Sequence, residues 1–388
     1  MLLVFRLRNF RSFRQESVLS LVASSDRDLL EANTVPTNIP SLSRTVCSAA
    51  VYGANASGKS NLLRALLLMR GVVLESASLQ PSQKFNVQPF RLDEQSTSAP
   101  TLFEITVLLD GIRYQYGFEF TPDRIVAEWL LVYQKVKPQR WFERKPDNGN
   151  SKEVFEFGPH LIGQKRTWQE ATRPNALFLS TAVQLNSEQL RPLYSWFAES
   201  LNVFLDGGHI PFEFSTSMIQ TPAGREAITS LLSSADIGIA SISAEFKKGF
   251  RQSIRFDLAT GKSDVQREEA ELLVPKFRHA AGTLTADFDY GDESQGTQKL
   301  FSLAGPLFAV IEKGRILVID ELDRSLHPLL VRQIVRTFHD PVLNKRGAQL
   351  IFSTHDTSLL DGRLLRRDQV WLTEKLQDQS SALGLVNK

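Results

Sequence analysis

The most constraining feature of the sequence is an eight-residue motif, GANASGKS, at positions 53–60. The apolar run 45–52 leads into it and is typical of a buried strand. The residues after it, 60–74, carry leucines at helical spacing. Glycines let such a loop wrap phosphate groups, whose charge is met by backbone N–H groups and by the helix N-terminus. Strand, loop and helix together predict a phosphate-binding loop within an α/β sheet.

The residue types of this loop predict how it holds a nucleotide. Lys59 is expected to reach the β- and γ-phosphates, and Ser60 to place its hydroxyl on Mg²⁺. ATP and Mg²⁺ are therefore the expected cofactors. The predicted nucleotide-binding residues of the loop are Gly53, Asn55, Gly58, Lys59, Ser60 and Asn61.

Two later apolar runs end in residues that suit the same chemistry. The run 315–319 is followed directly by Asp320 and Glu321. Asp320 is expected to hold Mg²⁺, directly or through water, and Glu321 to orient or deprotonate the attacking water. The strand 348–353 precedes His355, which is predicted to donate a hydrogen bond to the γ-phosphate. Glu321 and His355 are the predicted catalytic residues.

A third segment, DESQGTQK at 292–299, opens a predicted helix. Ser294 suits the N-cap of that helix. A serine hydroxyl, the backbone at Gly296 and a helix N-terminus form an anion site. On this segment alone, an ordinary capped helix is the competing interpretation.

Composition excludes several other classes of protein. The chain has 388 residues, 45 Lys and Arg against 43 Asp and Glu, a formal net charge of +2, and one cysteine. The balanced charge gives no overall drive toward nucleic acid or a membrane surface. Cys47 alone forms neither an internal disulfide nor a cysteine-based zinc site. No apolar run reaches the roughly 18–20 residues of a membrane span, so we expect a cytoplasmic location.

Periodicity predicts further elements between the motifs. Asp110-Gly111 is flanked by two alternating runs, 102–109 and 112–120, and predicts a β-hairpin. The other predicted elements are a loop over 24–45, strands over 126–135 and 140–144, helices over 184–204, 223–235, 294–312 and 327–339, a hairpin of 237–247 with 250–258, a solvated loop over 264–271, and a strand over 369–373.

The order of the motifs resembles that of the ABC-type ATPase head. The phosphate loop is followed by the Ser294 segment, the Asp-Glu strand, LDRSLH at 322–327 and the strand before His355. The resemblance implies that two heads sandwich two ATP molecules. It further implies that Ser294 and Gly296 act in trans on the partner's nucleotide, that 322–327 is the D-loop, and that His355 is the switch histidine. ESQGT in place of LSGGQ resembles the SMC, RecF and OLD branch rather than transporters.

The N-terminus is similar to the first strand and turn of those repair-type ATPases, through LRNFRSF at 7–13. The resemblance implies that Arg11 and Ser12 lie near the nucleotide. A solvated basic turn is the alternative interpretation. Gln88 is either an equivalent of the Q-loop glutamine or a loop residue without such a role.

A narrower likeness extends over nearly the whole chain. GANASGKSNLLRAL, VQPFRL, DGIRYQYGFEF, EWLLVY, ESQGTQKLF, VIDELDRSLHP, STHD and LLD together resemble the AAA15/AAA21-type stand-alone bacterial ATPases. These include RloA-like and abortive-infection ATPases and are related to the OLD family. The resemblance implies a role in anti-phage defence with a separately encoded nuclease or toxin. Such chains usually continue past 369–375 into a further basic segment, which leaves open whether the last elements here are missing or replaced.

The expected architecture is an α/β head of the ABC type with a central insertion. Residues 1–80 and 285–388 form the predicted head, 81–160 its antiparallel β meander, and 161–284 a mainly helical insertion with a β hairpin that serves as a partner or sensor surface. The expected function is an ATP-hydrolysing switch that forms an ATP-dependent homodimer and controls an effector. The alternative is a RecF/SMC-like DNA-binding ATPase, for which the basic residues are Lys247, Lys248, Arg251 and Arg255.

Overall fold

The computed structural model of the chain describes residues 1–39, 42–146, 153–205, 210–234, 238–256 and 263–386. Its strands are β1 Leu2–Arg8, β2 Ser17–Ser20, β3 Thr34–Ile39, β4 Leu42–Val46, β5 Ser48–Gly53, β6 Thr101–Leu109, β7 Ile112–Phe120, β8 Ile125–Tyr133, β9 Gln139–Pro146, β10 Glu153–Phe157, β11 Leu201–Phe204, β12 Ile239–Phe256, β13 Ser263–Ala281, β14 Leu284–Asp289, β15 Ile316–Ile319, β16 Gln349–Ser353, β17 Val370–Lys375 and β18 Ser381–Leu385. Its helices are α1 Leu30–Asn33, α2 Lys59–Glu75, α3 Glu94–Ser98, α4 Lys165–Ala171, α5 Phe178–Gln184, α6 Arg191–Ser195, α7 Phe212–Met218, α8 Pro222–Ser234, α9 Gln295–Lys313 and α10 Pro328–His339.

The chain forms two compact units. The first contains residues 1–208, 310–324 and 331–388, and the second contains residues 209–309 and 325–330. The predicted division into head and insertion stays a proposal, because a compact unit and a functional domain need not share their boundaries. Within the described residues, no helix is long and apolar enough to cross a membrane.

A mostly parallel sheet organises the first unit. In the described part of the chain its strand order is β11-β15-β16-β5-β17-β18, and only the β17–β18 pair is antiparallel. The central strands β15, β16 and β5 are buried along almost their whole length, as expected for strands covered on both faces. The predicted α/β fold class is confirmed.

An antiparallel sheet lies in the same unit. Its order among the described strands is β10-β9-β8-β7-β6-β1-β2. The predicted hairpin at Asp110-Gly111 is confirmed as the β6–β7 connection, and both of its turn residues have positive φ, as a tight hairpin turn requires. One hydrophobic cluster joins side chains of this sheet, of α2 and of the parallel strands, including Phe103, Leu66 and Val318. Helix α2 is therefore fixed by apolar packing that both sheets share.

The second unit contains a long antiparallel ribbon. Strands β12 and β13 pair from Ile239 opposite His279 to Phe256 opposite Ser263, and β14 adds a third strand only beside the base of the ribbon. The predicted hairpin of 237–247 with 250–258 is wrong, and so is the predicted loop over 264–271. Acidic residues of β13 lie opposite basic residues of β12, such as Glu271 opposite Lys248, so a charge-rich segment is compatible with a strand. Residues 235–237 and 257–262 lie outside the described residues.

Two further predictions need correction. The predicted helix over 184–204 is wrong in two places: residues 185–190 are a connection between α5 and α6, and residues 201–204 form strand β11, which pairs in parallel with β15. Its four residues are too short a run for periodicity to separate strand from helix. The segment 24–45, predicted as a loop, contains α1 and part of the two-stranded sheet β3–β4.

Candidate nucleotide-binding site

Three strand ends bring the predicted motifs to one edge of the parallel sheet. Strands β15, β16 and β5 are adjacent and parallel, so their carboxyl ends share an edge. Ligands of open α/β sheets bind at this edge. Burial lowers the pKa of Lys59, while the nearby carboxylates of Asp320 and Glu321 act in the opposite direction.

The phosphate loop adopts a backbone that needs glycine at two positions. Gly53 has φ 153° and Gly58 has φ 117°, which are conformations that other residues rarely adopt. A Cβ atom at Gly53 would lie 2.4 Å from the carbonyl oxygen of Thr373. A Cβ atom at Gly58 would lie 2.5 Å from the hydroxyl of Ser381. The loop therefore packs tightly against β17 and β18, while Asn55, at its tip, is exposed.

Lys59 begins helix α2 and reaches back across the loop. Its Nζ donates to the carbonyl oxygens of Gly53 at 2.7 Å and Ala54 at 3.1 Å. The first turn of any helix leaves N–H groups without intrahelical acceptors, and its dipole favours an anion there. An ammonium group and a helix N-terminus thus converge on one loop, which suits a polyphosphate.

The two acids that follow β15 differ in their environment. Asp320 is 3% exposed, and its N–H donates to the carbonyl oxygen of Phe204 in β11. Glu321 is half-buried, and its Oε2 lies 3.4 Å from Nη1 of Arg324. A buried carboxylate and the Ser60 hydroxyl are hard oxygen donors, so this donor set fits Mg²⁺.

The donor set of this centre is small. Among the described residues, no group of three or more His, Cys, Asp or Glu side chains is arranged to hold a metal ion. Mg²⁺ is usually bound in proteins through one or two carboxylates together with substrate phosphates and waters. The Ser60 and Asp320 pair fits that mode of binding, in which the nucleotide itself completes the coordination.

His355 lies just beyond β16 and is exposed. Its backbone N–H donates to Oδ2 of Asp323 at 3.2 Å. Tyr52, at the end of β5, donates its hydroxyl to the carbonyl oxygen of Asp356 at 3.0 Å. These contacts join the histidine turn to the acidic turn and to the strand that carries the phosphate loop.

The turn at Arg11 and Ser12 lies beside the start of α2. Asn61 donates from Nδ2 to the Ser12 hydroxyl at 2.9 Å. The backbone N–H of Arg11 donates to the carbonyl oxygen of Gln88 at 2.7 Å. Burial, followed by the charges of Arg64 and Arg91, lowers the pKa of Arg11. The contact of Arg11 and Ser12 with a nucleotide stays a prediction.

Ser294 and Gly296 lie in the second unit, at the start of α9. The Ser294 hydroxyl accepts from the N–H of Thr297 at 3.1 Å, so the predicted N-cap is confirmed. A Cβ atom at Gly296 would lie 3.0 Å from the carbonyl oxygen of Ser325, which belongs to the 322–327 segment. The two segments that resemble the signature and the D-loop are therefore neighbours, and their action in trans stays a prediction.

Comparison with known proteins assigns the family. The family AAA_21, described as "AAA domain, putative AbiEii toxin, Type IV TA system", matches residues 48–361. The chain belongs to this family. It is thus a P-loop ATPase of the AAA_21 type, in line with the family resemblance of its sequence motifs. The matched range runs from the first residue of β5 to beyond His355 and includes the phosphate loop and the Asp-Glu turn.

Among solved structures, the chain is similar to the SMC head domain from Thermotoga maritima, with 15% identity and a TM-score of 0.42 over 100% of this chain and 99% of that chain. No curated protein matches the chain.

In this AAA_21 protein, three residues of the site do not belong to the sequence motifs that predicted it. The hydroxyl of Ser353 contacts both Asp320 and the backbone of Glu321. Oγ1 of Thr373 lies 2.6 Å from the Ser57 hydroxyl, and the buried Ser381 packs on Gly58. Each is a hydroxyl residue within or at an end of a strand, and such residues are too common in sequences to be singled out.

Two of the four basic residues of the alternative DNA-binding interpretation, Lys247 and Lys248, face acidic residues, whereas the side chains of Arg251 and Arg255 lie outside the described part of the chain. Lys247 lies 2.8 Å from Oδ2 of Asp289 and 3.5 Å from Oε1 of Glu245. Lys248 is opposite Glu271 in the ribbon. A phosphate backbone would have to compete with these carboxylates, so the pairing does not favour a DNA clamp.

Proposed function

We propose that the protein is an ATP-hydrolysing switch that dimerises through ATP and controls a separately encoded effector, a nuclease or a toxin, in anti-phage defence. The observation that carries the proposal is the convergence of Lys59, Asp320 and Glu321 at one sheet edge. Membership of the AAA_21 family supports nucleotide binding by this edge.

The chain's own residues supply most of the proposed chemistry. Lys59 and the N-terminus of α2 bind and orient the phosphates. Ser60 and Asp320 would hold Mg²⁺, which neutralises charge on the β- and γ-phosphate oxygens. Glu321 accepts a proton from the attacking water, and His355 donates a hydrogen bond to the terminal phosphate.

The Lys59→Ala variant tests nucleotide binding by this edge. A hydrogen bond to a charged group contributes roughly 1.5–3 kcal/mol, so ATP affinity should fall about 10- to 150-fold. Titration of a fluorescent ATP analogue measures the change. The matched control is Lys345→Ala, because Lys345 is exposed and lies outside the loop. Equal ATP affinity of Lys59→Ala and wild type would contradict the assignment of the phosphate loop.

Dimerisation through ATP rests on the segments at the start of α9. The Ser294 hydroxyl and the adjoining helix N-terminus form a donor group of the kind that binds phosphate oxygens. In the proposed dimer they contact the nucleotide held by the other copy. Hydrolysis removes the terminal phosphate that both copies share, and the dimer reopens.

The ribbon of the second unit is the proposed surface for the effector. Phe246 and Phe250 are 65% and 61% exposed and project from the same face of β12, since they are four residues apart in a strand. Lys248 lies between them, with Glu271 opposite Lys248 and Glu269 opposite Phe250. An apolar centre with charges of both signs at its margin suits a protein partner with an apolar anchor and complementary charges.

The double variant Phe246→Ser, Phe250→Ser tests this surface. We expect the effector to be the product of a neighbouring gene. The double variant should abolish co-purification with that product and leave ATP turnover of the isolated protein unchanged. The control is Val136→Ser, Val342→Ser, which removes two side chains of similar exposure, 75% and 69%, from the first unit. If the product still binds the double phenylalanine variant, the ribbon face is not its docking surface.

A further inference from the structure

Ser353, the last residue of β16, is fully buried and touches three successive residues of the acidic turn. Its hydroxyl donates to Oδ1 of Asp320 at 2.5 Å and accepts from the N–H of Glu321 at 2.7 Å. Its carbonyl oxygen accepts from the N–H of Leu322 at 3.0 Å. One side chain thus contacts both predicted catalytic-centre acids, and its strand holds the turn that carries them.

The hydrogen bond between Ser353 and the Glu321 N–H matters because the backbone of Glu321 is strained. Glu321 has φ 51°, in the left-handed region, which costs free energy for a residue with a Cβ atom. Such a conformation persists only where surrounding contacts over-determine it. The hydrogen bond from the Glu321 N–H to the Ser353 hydroxyl is one of those contacts, and the conformation sets the direction in which the Glu321 side chain leaves the turn.

A second contact extends the connection to His355. His355 follows Ser353 by two residues, and its N–H donates to Oδ2 of Asp323, on the far side of the acidic turn. The end of β16 is therefore hydrogen-bonded to the turn at Asp320, Glu321, Leu322 and Asp323.

We propose that Ser353 is a positioning residue of the ATPase centre, whose hydroxyl orients the Asp320 carboxylate and fixes the left-handed backbone of Glu321. This inference rests on the proposed function of the same site. It assigns to Ser353 no contact with nucleotide. Its role is to hold the two acids in the arrangement in which one binds Mg²⁺ and the other accepts the proton of water.

Three substitutions distinguish the effect of the Ser353 hydroxyl from the effect of its side-chain volume. Ser353→Ala removes the hydroxyl, Ser353→Cys keeps nearly the same volume with a weak donor, and Ser353→Thr keeps the hydroxyl. We expect kcat to fall about 10- to 100-fold in the alanine and cysteine variants, because the buried Asp320 carboxylate loses its donor and the Glu321 N–H loses its acceptor. The threonine variant should retain most of the rate. At saturating Mg²⁺, KM for ATP should change little, since Lys59 and the loop are untouched.

A binding measurement tests the same inference without turnover. ATP affinity is measured at a series of Mg²⁺ concentrations, and the Mg²⁺ concentration for half-maximal affinity should rise about tenfold in Ser353→Ala and Ser353→Cys but not in Ser353→Thr. ATP affinity without Mg²⁺ should stay at the wild-type level, which also shows that the variants are folded.

The outcomes separate this inference from the proposed function. Wild-type protein that binds ATP but shows no Mg²⁺-dependent hydrolysis contradicts the proposed function, and the Mg²⁺ titration still tests Ser353. Active wild-type protein with unchanged kcat and Mg²⁺ requirement in Ser353→Ala overturns only the positioning role. Equal losses in the alanine, cysteine and threonine variants would overturn it as well, because the volume of the residue and not its hydroxyl would then matter.

Discussion

Glu321→Gln will bind ATP with nearly wild-type affinity and hydrolyse it about 10²- to 10⁴-fold more slowly, the usual contribution of a positioned general base. Glutamine has the same shape as glutamate, so the turn at Asp320 and the bond from the residue 321 N–H to Ser353 remain. The amide accepts no proton at neutral pH. Replacing one carboxylate oxygen by an amide nitrogen should therefore affect ATP hydrolysis and not ATP binding.

The same variant should accumulate the closed assembly. If hydrolysis reopens the dimer, protein that binds ATP without cleaving it stays dimeric. Size-exclusion chromatography with light scattering, with and without ATP and Mg²⁺, measures the mass, and phosphate release measures turnover. The control is Glu312→Gln at an exposed position near the end of α9, which should match wild type in both assays.

Two results would contradict the assignment. Wild-type turnover in Glu321→Gln would exclude Glu321 as the base. Slow turnover without any ATP-dependent change in mass would leave the base in place but contradict dimerisation through ATP. The variant therefore tests the chemical and the assembly parts of the proposal separately.

The sequence predicts the elements of this site where a motif and a strong period coincide. GANASGKS fixes the β5–loop–α2 unit, and the predicted helix over 60–74 differs from α2 by one residue at each end. Apolar runs of four or more residues that end in polar groups likewise identify β15 and β16. These features are local, so a single stretch of sequence is enough to recognise them.

What the sequence does not predict depends on strand order. β11 is four residues long, and only its pairing with β15 makes it a strand. Ser353 matters because β16 lies next to β15, and Thr373 and Ser381 matter because β17 and β18 lie beside β5 and its loop. No periodic pattern encodes which strands become neighbours. The ribbon is not predicted for another reason. Its charged residues face each other across the two strands, but in the sequence of one strand alone they resemble a solvated loop.

Glu128→Ala should lower the free energy of unfolding by about 3–5 kcal/mol, because it leaves buried polar groups without their partner. Glu128 is fully buried in β8. Its carboxylate accepts from the Tyr116 hydroxyl at 2.9 Å and from the N–H groups of Phe178 at 2.6 Å and Leu179 at 3.0 Å. Burial raises the pKa of Glu128, although the nearby charge of Arg144 and these donors favour its ionised form.

The loss should extend to the nucleotide-binding element through α2. The two N–H groups that donate to Glu128 belong to the first residues of α5. The Ser180 hydroxyl, also in α5, donates to the carbonyl oxygen of Val73 in α2. Fully buried Arg144, opposite Glu128 in β9, donates to the carbonyl oxygen of Ala176 at 2.7 Å. The buried carboxylate thus helps to hold the antiparallel sheet against the helix that carries Lys59.

Urea unfolding of Glu128→Ala, Glu128→Gln and wild type measures the effect as a shift in midpoint at constant slope. The glutamine variant keeps an acceptor oxygen of the same reach and should lose less than the alanine variant. The matched control is Glu119→Ala in the neighbouring strand β7, whose ion pair with Arg8 is partly exposed and should contribute less than about 1 kcal/mol. If Glu128→Ala costs no more than Glu119→Ala, the buried carboxylate does not hold the sheet and α5 together, and the stability of α2 must come from its apolar packing alone.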